Sequence, residues 1–162
     1  MININKSKDE NYRYKMPIVS IKIGGTGNGM FTIINNMDEI SKAINTPSSI
    51  IYKFISYTLG SAYNDKKNSF TGHHNNIQDI IFDYINTFVI CSTCKVPELK
   101  YYLEKISAKK NILQCKCSAC GKIDTIKPNN KIIEKCTDGI LKYLLKEGTW
   151  NVTNGNMVEQ KN

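Results

Sequence analysis

Little in this 162-residue chain could be assembled into an active site of its own. Its two histidines, His73 and His74, sit side by side in a polar loop, and no Ser/His/Asp set is clustered. That pair reads as capping the following helix or contacting RNA, not as a catalyst or metal ligand. No apolar run approaches the roughly 20 residues needed to span a bilayer. The start, Met1 to Lys6, lacks the apolar segment of a signal peptide, so a cytoplasmic, reducing compartment is expected, with no membrane. Internal repeats and long low-complexity segments are missing as well. Acidic residues are in deficit: 14 Asp and Glu face 22 Lys and Arg, giving a net charge of +8 and a pI near 9.1. Such a balance favours an acidic partner, nucleic acid first, although lysines that merely solvate a surface would look the same. With 41% hydrophobic residues, the chain can bury one compact domain plus a small satellite.

What the sequence does carry is a pair of cysteine knuckles. Cys91-Ser-Thr-Cys94 and Cys117-Ser-Ala-Cys120-Gly121 lie about 22 residues apart. That spacing suits one tetrahedral Zn2+ held by four thiolates, two from each hairpin turn. Gly121 fits the reading, because the residue after a knuckle often needs a left-handed backbone. Four protein ligands close the shell, so the ion, one per chain, is structural. Two disulfides would be the rival reading in a secreted domain. Cys115 lies next to the second knuckle and competes as a ligand only with the wrong spacing. Cys136 falls on an apolar helical face as a small core residue.

The rest of the chain reads as α+β. Residues 1–16 are polar and aperiodic, a flexible leader. Ile18 to Ile23 alternates like a strand, Gly24-Gly-Thr-Gly-Asn-Gly29 follows, and Met30 to Ile34 resumes the alternation. The glycine run lacks a G-K-[ST] ending and leads into a strand, so it is a hairpin tip, with the glycines and Asn28 at positive φ, and not a phosphate loop. Asn36 and Glu39 suggest a capping box on a helix ending near Ile44. Pro47 opens a second helix that Gly60 ends, and Asn64 to Lys67 turns between short strands. Ile77, Ile80, Ile81, Tyr84, Ile85 and Phe88 recur at helical spacing. Val89 and Ile90 enter the first knuckle without a Gly/Pro linker, which suggests a hinged ribbon. Ribbon strands are expected around 101–103 and 112–115, and a last helix from Lys131 to about Lys146, stopped by Gly148. Trp150 is the one residue of the polar tail expected to dock. The expected divisions are a leader at 1–16, an α/β domain at 17–88, a zinc ribbon at 89–127, a helical segment at 128–148 and a tail at 149–162.

Tyr12-Arg-Tyr-Lys-Met-Pro17, Gly27-Asn-Gly29, Asn36-Met37 and Lys42-Ala-Ile-Asn45 form an ordered series. It continues through Leu59-Gly60, Ile77-Gln-Asp79, Phe88-Val-Ile-Cys91, Cys117-Ser-Ala-Cys-Gly121 and Cys136-Thr137. In order and spacing the series resembles the N-terminal domain of eukaryotic translation initiation factor 5, from near Met1 to about Lys146. The leader beside G-N-G separates that family from its relative, the beta subunit of initiation factor 2.

The resemblance implies a monomeric factor in the ribosomal preinitiation complex, with the small ribosomal subunit, initiator tRNA and mRNA as partners. There it would stimulate GTP hydrolysis by initiation factor 2, whose gamma subunit holds the nucleotide, and support start-codon recognition. The chain would be no enzyme itself but would supply a residue in trans. By the same resemblance Arg13 is the arginine finger and Lys53 engages the GTPase. A second family lysine falls where this chain has Phe31, a departure that favours the alternative of a mimic occupying the complex without activating it. Cellular members continue into a helical C-terminal domain, so this sequence is expected to be either one domain of a longer protein or a naturally minimal homologue. Lys15, Lys22, Lys42, Lys53, Lys66 and Lys67, with Asn28 at the hairpin tip, are the candidate GTPase or RNA contacts, against a scattered solvated surface. Other readings are an initiation factor 2 beta-like subunit and a generic zinc-ribbon nucleic-acid-binding protein.

Overall fold

The helical stripe from Ile77 to Phe88 organises the interior. In the computed structural model, which describes residues 1–126, 128–148 and 150, this stripe becomes α3 (Ile77–Phe88). Ile81, Ile85 and Phe88 are fully buried there. α1 (Met37–Ala43) and α2 (Ser48–Leu59) contribute Ile40, Ile51, Phe54 and Ile55 to the same core. A four-stranded antiparallel sheet completes it, from β3 (Ile21–Gly24), β4 (Phe31–Ile34), β5 (Tyr63–Asn64) and β6 (Ser69–Thr71) in the order β3-β4-β6-β5. Phe70 and Ile34 face inward.

Several local expectations need correction. At the β3–β4 tip, Gly25 and Gly27 take positive φ, and Asn28 does not; it lies in a short 3-10 turn, Gly27–Gly29. Asn36 precedes α1 but its side chain makes no capping bond. Its amide instead accepts from the Ser20 N–H and donates to the Ile18 carbonyl, tying the helix entry to the chain before β3. Pro47 is one residue outside α2, while Gly60 ends that helix at φ 68° as its sequence position suggests. His74 caps no helix. Its Nε2 lies 2.8 Å from the Thr71 carbonyl and 3.1 Å from Ser61 Oγ, which fixes the loop after β6.

The leader is folded. β1 (Ile2–Asn3) pairs antiparallel with β2 (Lys15–Met16), and Ile4 and Met16 are buried in the main core. The Asn3 amide donates to Ser7 and to the Asp9 carbonyl, holding the intervening loop. Two-residue strands are too short to leave a periodic signal, which is why the polar sequence reads as unstructured.

The ribbon is also more tightly joined than a hinge would allow. β7 (Leu99–Ser107), β8 (Lys110–Cys117) and β9 (Ile123–Asp124) form an antiparallel sheet, with the first two strands longer than their apolar centres suggest. Tyr101, Leu113 and Cys115 belong to the same buried cluster as the helices. Tyr101 Oη donates to the Phe88 carbonyl at 2.6 Å, and the Leu99 N–H reaches the Val89 carbonyl. α4 (Lys131–Glu147), capped by Asn130, packs on α2 and on the ribbon strands. Trp150 docks: its Nε1 donates to the Asn45 carbonyl at 2.8 Å, and its ring lies 5.1 Å from Tyr101. The remainder of the expected tail, 149 and 151–162, lies outside the described residues, as does residue 127 at the expected end of the ribbon.

Removing the phenol oxygen in Tyr101→Phe leaves a buried carbonyl without its donor, so urea unfolding should show a loss of about 1–3 kcal/mol at an unchanged m-value. Burial holds the Tyr101 phenol well above its ordinary 10.0. The unfolded phenol ionises first, so the stability from this group is complete below pH 10 and is lost as pH rises further. The gap between wild type and Tyr101→Phe should therefore narrow above about pH 10. A gap that stays constant in alkali would show that the phenol is not kept neutral by the fold.

Candidate metal centre and the arginine beside it

The two knuckles repeat one backbone pattern. In the first, the Cys91 N–H reaches the Val96 carbonyl and the Lys95 N–H reaches the Cys91 carbonyl, each at 2.9 Å. In the second, Cys117 N–H meets Lys122 carbonyl at 3.0 Å and Gly121 N–H meets Cys117 carbonyl at 2.8 Å. Lys95 and Gly121 occupy equivalent left-handed positions, φ 64° and 77°. Only the second is marked by a glycine in the sequence; at Lys95 the same conformation is imposed by the turn, against a side-chain cost.

These turns bring four sulfurs together. Cys91, Cys94, Cys117 and Cys120 have all their Sγ atoms within 4.8 Å of one another. Cys91 and Cys120 are 3.8 Å apart, Cys94 and Cys117 3.5 Å. Zinc–thiolate bonds of about 2.3 Å in a tetrahedron place sulfurs about 3.8 Å apart, so the donor set fits that ion. The thiols are unequal without a cation. Burial pushes the Cys91 thiol up, but backbone N–H groups of Cys94 and Thr93 outweigh it and bring it below the ordinary thiol range. Cys94 is lowered by the Val96 N–H, yet burial and the three neighbouring thiols raise it above that range. Cys115 is buried outside the set and pushed up by burial to about 11. Cys136 is buried in α4 and raised, again by burial, to about 12. Both are packed as inert thiols.

The folded leader places Arg13 next to this ribbon. Arg13, the only arginine in the chain, is exposed, and its guanidinium carbon lies 5.6 Å from the centre of the Tyr14 ring. Tyr14 Oη donates to Glu98 Oε2 at 2.9 Å. That bond, ahead of burial, holds the Tyr14 phenol above 10.0. Glu98 follows the first knuckle, and its carbonyl accepts the Ser118 N–H of the second at 2.9 Å. Nothing in the sequence signals this contact across 84 positions.

The other candidates occupy separate elements. Lys15 is half-buried, and its ammonium donates to the Asn3 side chain and the Glu10 carbonyl within the leader. Lys53 is exposed on α2, where it lines a cleft of about 310 Å³ with Tyr57 and the α4 residues Lys135, Asp138 and Lys142. Periodicity on α4 marks only its apolar side, so those three polar residues carry no signal of the cleft. Gly139 also borders the cleft, where an added Cβ would make only an ordinary contact, 3.7 Å from Lys53 Cδ. Lys66 and Lys67 are exposed in the β5–β6 turn, with their N–H groups on Asn64 Oδ1. Lys22 lies exposed on β3, Lys42 exposed on α1, and Asn28 exposed at the β3–β4 tip. Phe31 is half-buried opposite Gly24, its ring covering that glycine so closely that an added Cβ would collide with it. Among the described residues, no helix is long and apolar enough to cross a membrane.

Fold and donor set together define an α+β protein in which three helices and a four-stranded sheet continue into a ribbon that carries four clustered cysteines. A family model, described as a domain found in initiation factors 2B and 5, matches residues 4–123. The chain is 40% identical over 127 residues to eukaryotic translation initiation factor 5 of Caenorhabditis elegans, covering 74% of this chain and 28% of that protein. It is 37% identical over 130 residues to the Saccharomyces cerevisiae factor of the same name, covering 75% and 31%. Against the Pongo abelii factor it is 34% identical over 161 residues, covering 95% and 35%. The chain belongs to the initiation factor 5 / initiation factor 2 beta family, and it spans about a third of the length of these relatives.

Cobalt(II) titration of metal-free protein should saturate at one equivalent, with the strong absorption of a tetrahedral four-thiolate site. Cys115→Ser should leave that spectrum intact, and Cys117→Ser should abolish it. A spectrum that instead depends on Cys115 would show the second knuckle to be misassigned.

Proposed function

We propose that the chain acts in translation initiation, stimulating GTP hydrolysis by initiation factor 2 within the preinitiation complex, with Arg13 as the residue delivered in trans. The observation that carries this reading is Arg13 itself: an exposed guanidinium on a folded leader, within a family match that includes it. A guanidinium placed on a transferring phosphoryl group neutralises charge that develops in the transition state, a contribution of about 10³–10⁵ in rate. That corresponds to roughly 4–7 kcal/mol of barrier. Zinc, on this reading, is held by Cys91, Cys94, Cys117 and Cys120 and supplies structure only. The gamma subunit with its GTP, the small ribosomal subunit, initiator tRNA and mRNA are the partners, met in the cytoplasm by a single copy of this chain. Lys53, Lys66, Lys67 and Asn28 are candidate contacts to GTPase or RNA, and Lys15 supports the leader that carries Arg13.

Phe31 favours a second reading. Its ring is committed to covering Gly24 and cannot donate a hydrogen bond, so a chain that binds the complex without activating it is the alternative.

The deciding measurement is GTP hydrolysis in a reconstituted preinitiation complex, with and without the protein. Wild type should stimulate, Arg13→Ala should lose most of the stimulation with metal content intact, and Arg13→Lys should also fail, because an ammonium lacks the planar fork. Equal stimulation by wild type and Arg13→Ala would remove the finger. A wild type that competes with the cellular factor but never stimulates would favour the mimic, and Phe31→Lys should then restore part of the activity.

Association with initiator-tRNA-loaded small subunits should weaken steeply as salt rises, since each phosphate neutralised releases counterions with a slope of about 0.7–0.9 in log–log terms. Changing Lys66 and Lys67 together to Glu should weaken it further. Binding that ignores salt would indicate an apolar protein contact instead.

A further inference from the structure

Resting on the activation reading, we infer that Tyr14 and Glu98 form a latch that positions Arg13. Tyr14 is held twice. Its carbonyl accepts the Ile4 N–H at 3.1 Å, which secures the leader backbone, and its phenol donates to Glu98 Oε2 at 2.9 Å. Glu98 is a rigid anchor, because its N–H reaches the Val96 carbonyl and its own carbonyl receives the Ser118 N–H, both at 2.9 Å. Its backbone is thereby bound to the turns of both knuckles, so the carboxylate stands where the cysteine-bearing loops meet.

The neighbours of Arg13 are fixed on both sides. Tyr12 and Tyr14 meet edge to face with ring centres 5.8 Å apart, and the Lys15 ammonium is tied to Asn3 and Glu10 within the leader. Arg13 alone projects outward, with its guanidinium resting over the Tyr14 ring. A long, rotamer-rich arginine gives up much of its side-chain freedom when immobilised. Fixing its backbone and the ring beneath it beforehand reduces what must be ordered in the transition state, and small misplacements of a reacting group cost roughly a hundredfold in rate. Tyr14 and Glu98 are thus positioning residues: neither touches the nucleotide, and each acts through Arg13.

Tyr14→Phe is the cleanest probe, because it keeps the ring under the guanidinium and removes only the donated hydrogen bond. Glu98→Ala removes the acceptor, and Glu98→Gln keeps one. In the reconstituted complex, Tyr14→Phe and Glu98→Ala should each lower the maximal rate of hydrolysis by roughly ten- to a hundredfold, leaving the half-saturating protein concentration unchanged. Glu98→Gln should retain most of the rate, and the double variant should be no slower than either single one. Hydrogen exchange across residues 10–16 of the free protein provides a readout independent of activity, and it should speed up in Tyr14→Phe with metal content unchanged. Unchanged exchange would overturn the latch itself. Faster exchange with an undiminished maximal rate, a rise in half-saturating concentration alone, or losses that add in the double variant would overturn the positioning role. A wild type that does not stimulate at all would refute the activation reading and the positioning role with it, and the exchange result would still report separately on the contact.

Discussion

Four sulfurs within 4.8 Å of one another cannot all carry charge without a cation between them. Like charges at such separations repel strongly even where solvent reaches them, and a set of four contains every pairing at once. Cys91 and Cys94 are shifted in opposite directions: burial is outweighed by backbone N–H groups that draw Cys91 toward ionisation, while the Val96 N–H is outweighed by burial and the neighbouring thiols, which hold Cys94 back. A divalent ion held there would remove the conflict by accepting electron density from all four, and ribbon order would then be coupled to metal binding. The consequences extend past the ribbon. Ser118, between two of the cysteines, holds the backbone of Glu98, and Glu98 holds Tyr14 in the leader.

The ribbon is kept against the helical core by aromatic side chains. Phe54 meets Tyr84 at 5.3 Å, Tyr84 stacks on Phe88 at 5.1 Å, and Phe88 approaches Tyr101 at 6.3 Å. Tyr101 then meets Trp150, which meets Tyr143 of α4 at 5.9 Å. The run passes from α2 through α3 and the first ribbon strand to the last helix. Edge and offset contacts of this kind contribute about 0.5–1.5 kcal/mol each beyond their buried area. Tyr101 matters most within it, because it also supplies the donor for the last carbonyl of α3. Leader, core and ribbon therefore share one interior, and a surface residue of one is placed by the packing of the others.

The sequence is most readable where one local signal dominates. The stripe from Ile77 to Phe88 gives α3 at its observed bounds, Gly60 and Gly148 stop their helices, and the doubled knuckle marks the four sulfurs. It is least readable where a polar side chain has two uses. Asn36 and Glu39 have the spacing of a capping box, yet Asn36 bonds to Ile18 and Ser20, because a tertiary partner outcompetes the helix N-terminus. Lys95 adopts a left-handed turn that no glycine announces. The leader is hidden for a different reason. Its order comes from Ile4, Met16 and the Asn3 amide reaching across a loop, contacts that periodicity cannot register. The Tyr14–Glu98 bond is the extreme case, since only the completed fold brings those positions together.

That separation bears on how much weight Phe31 carries. Arg13 belongs to the leader beside the ribbon, and Phe31 belongs to β4, where it is paired with Gly24. Replacing a lysine by an aromatic at position 31 removes one possible polar contact to a partner, but it leaves the Tyr14–Glu98 bond and the exposure of Arg13 untouched. Under the proposed reading, delivery of charge to a phosphoryl group and docking of the domain would be distinct contributions, carried by different elements. A cationic docking contact acts chiefly on affinity and association, where other lysines can substitute for it. A guanidinium at the reacting phosphate acts on the barrier itself, where none of the chain's lysines offers the same planar fork. Under the proposed activation reading, a chain with Phe31 and an intact leader would be an activator with altered docking, and the mimic would require Arg13 to be silent as well.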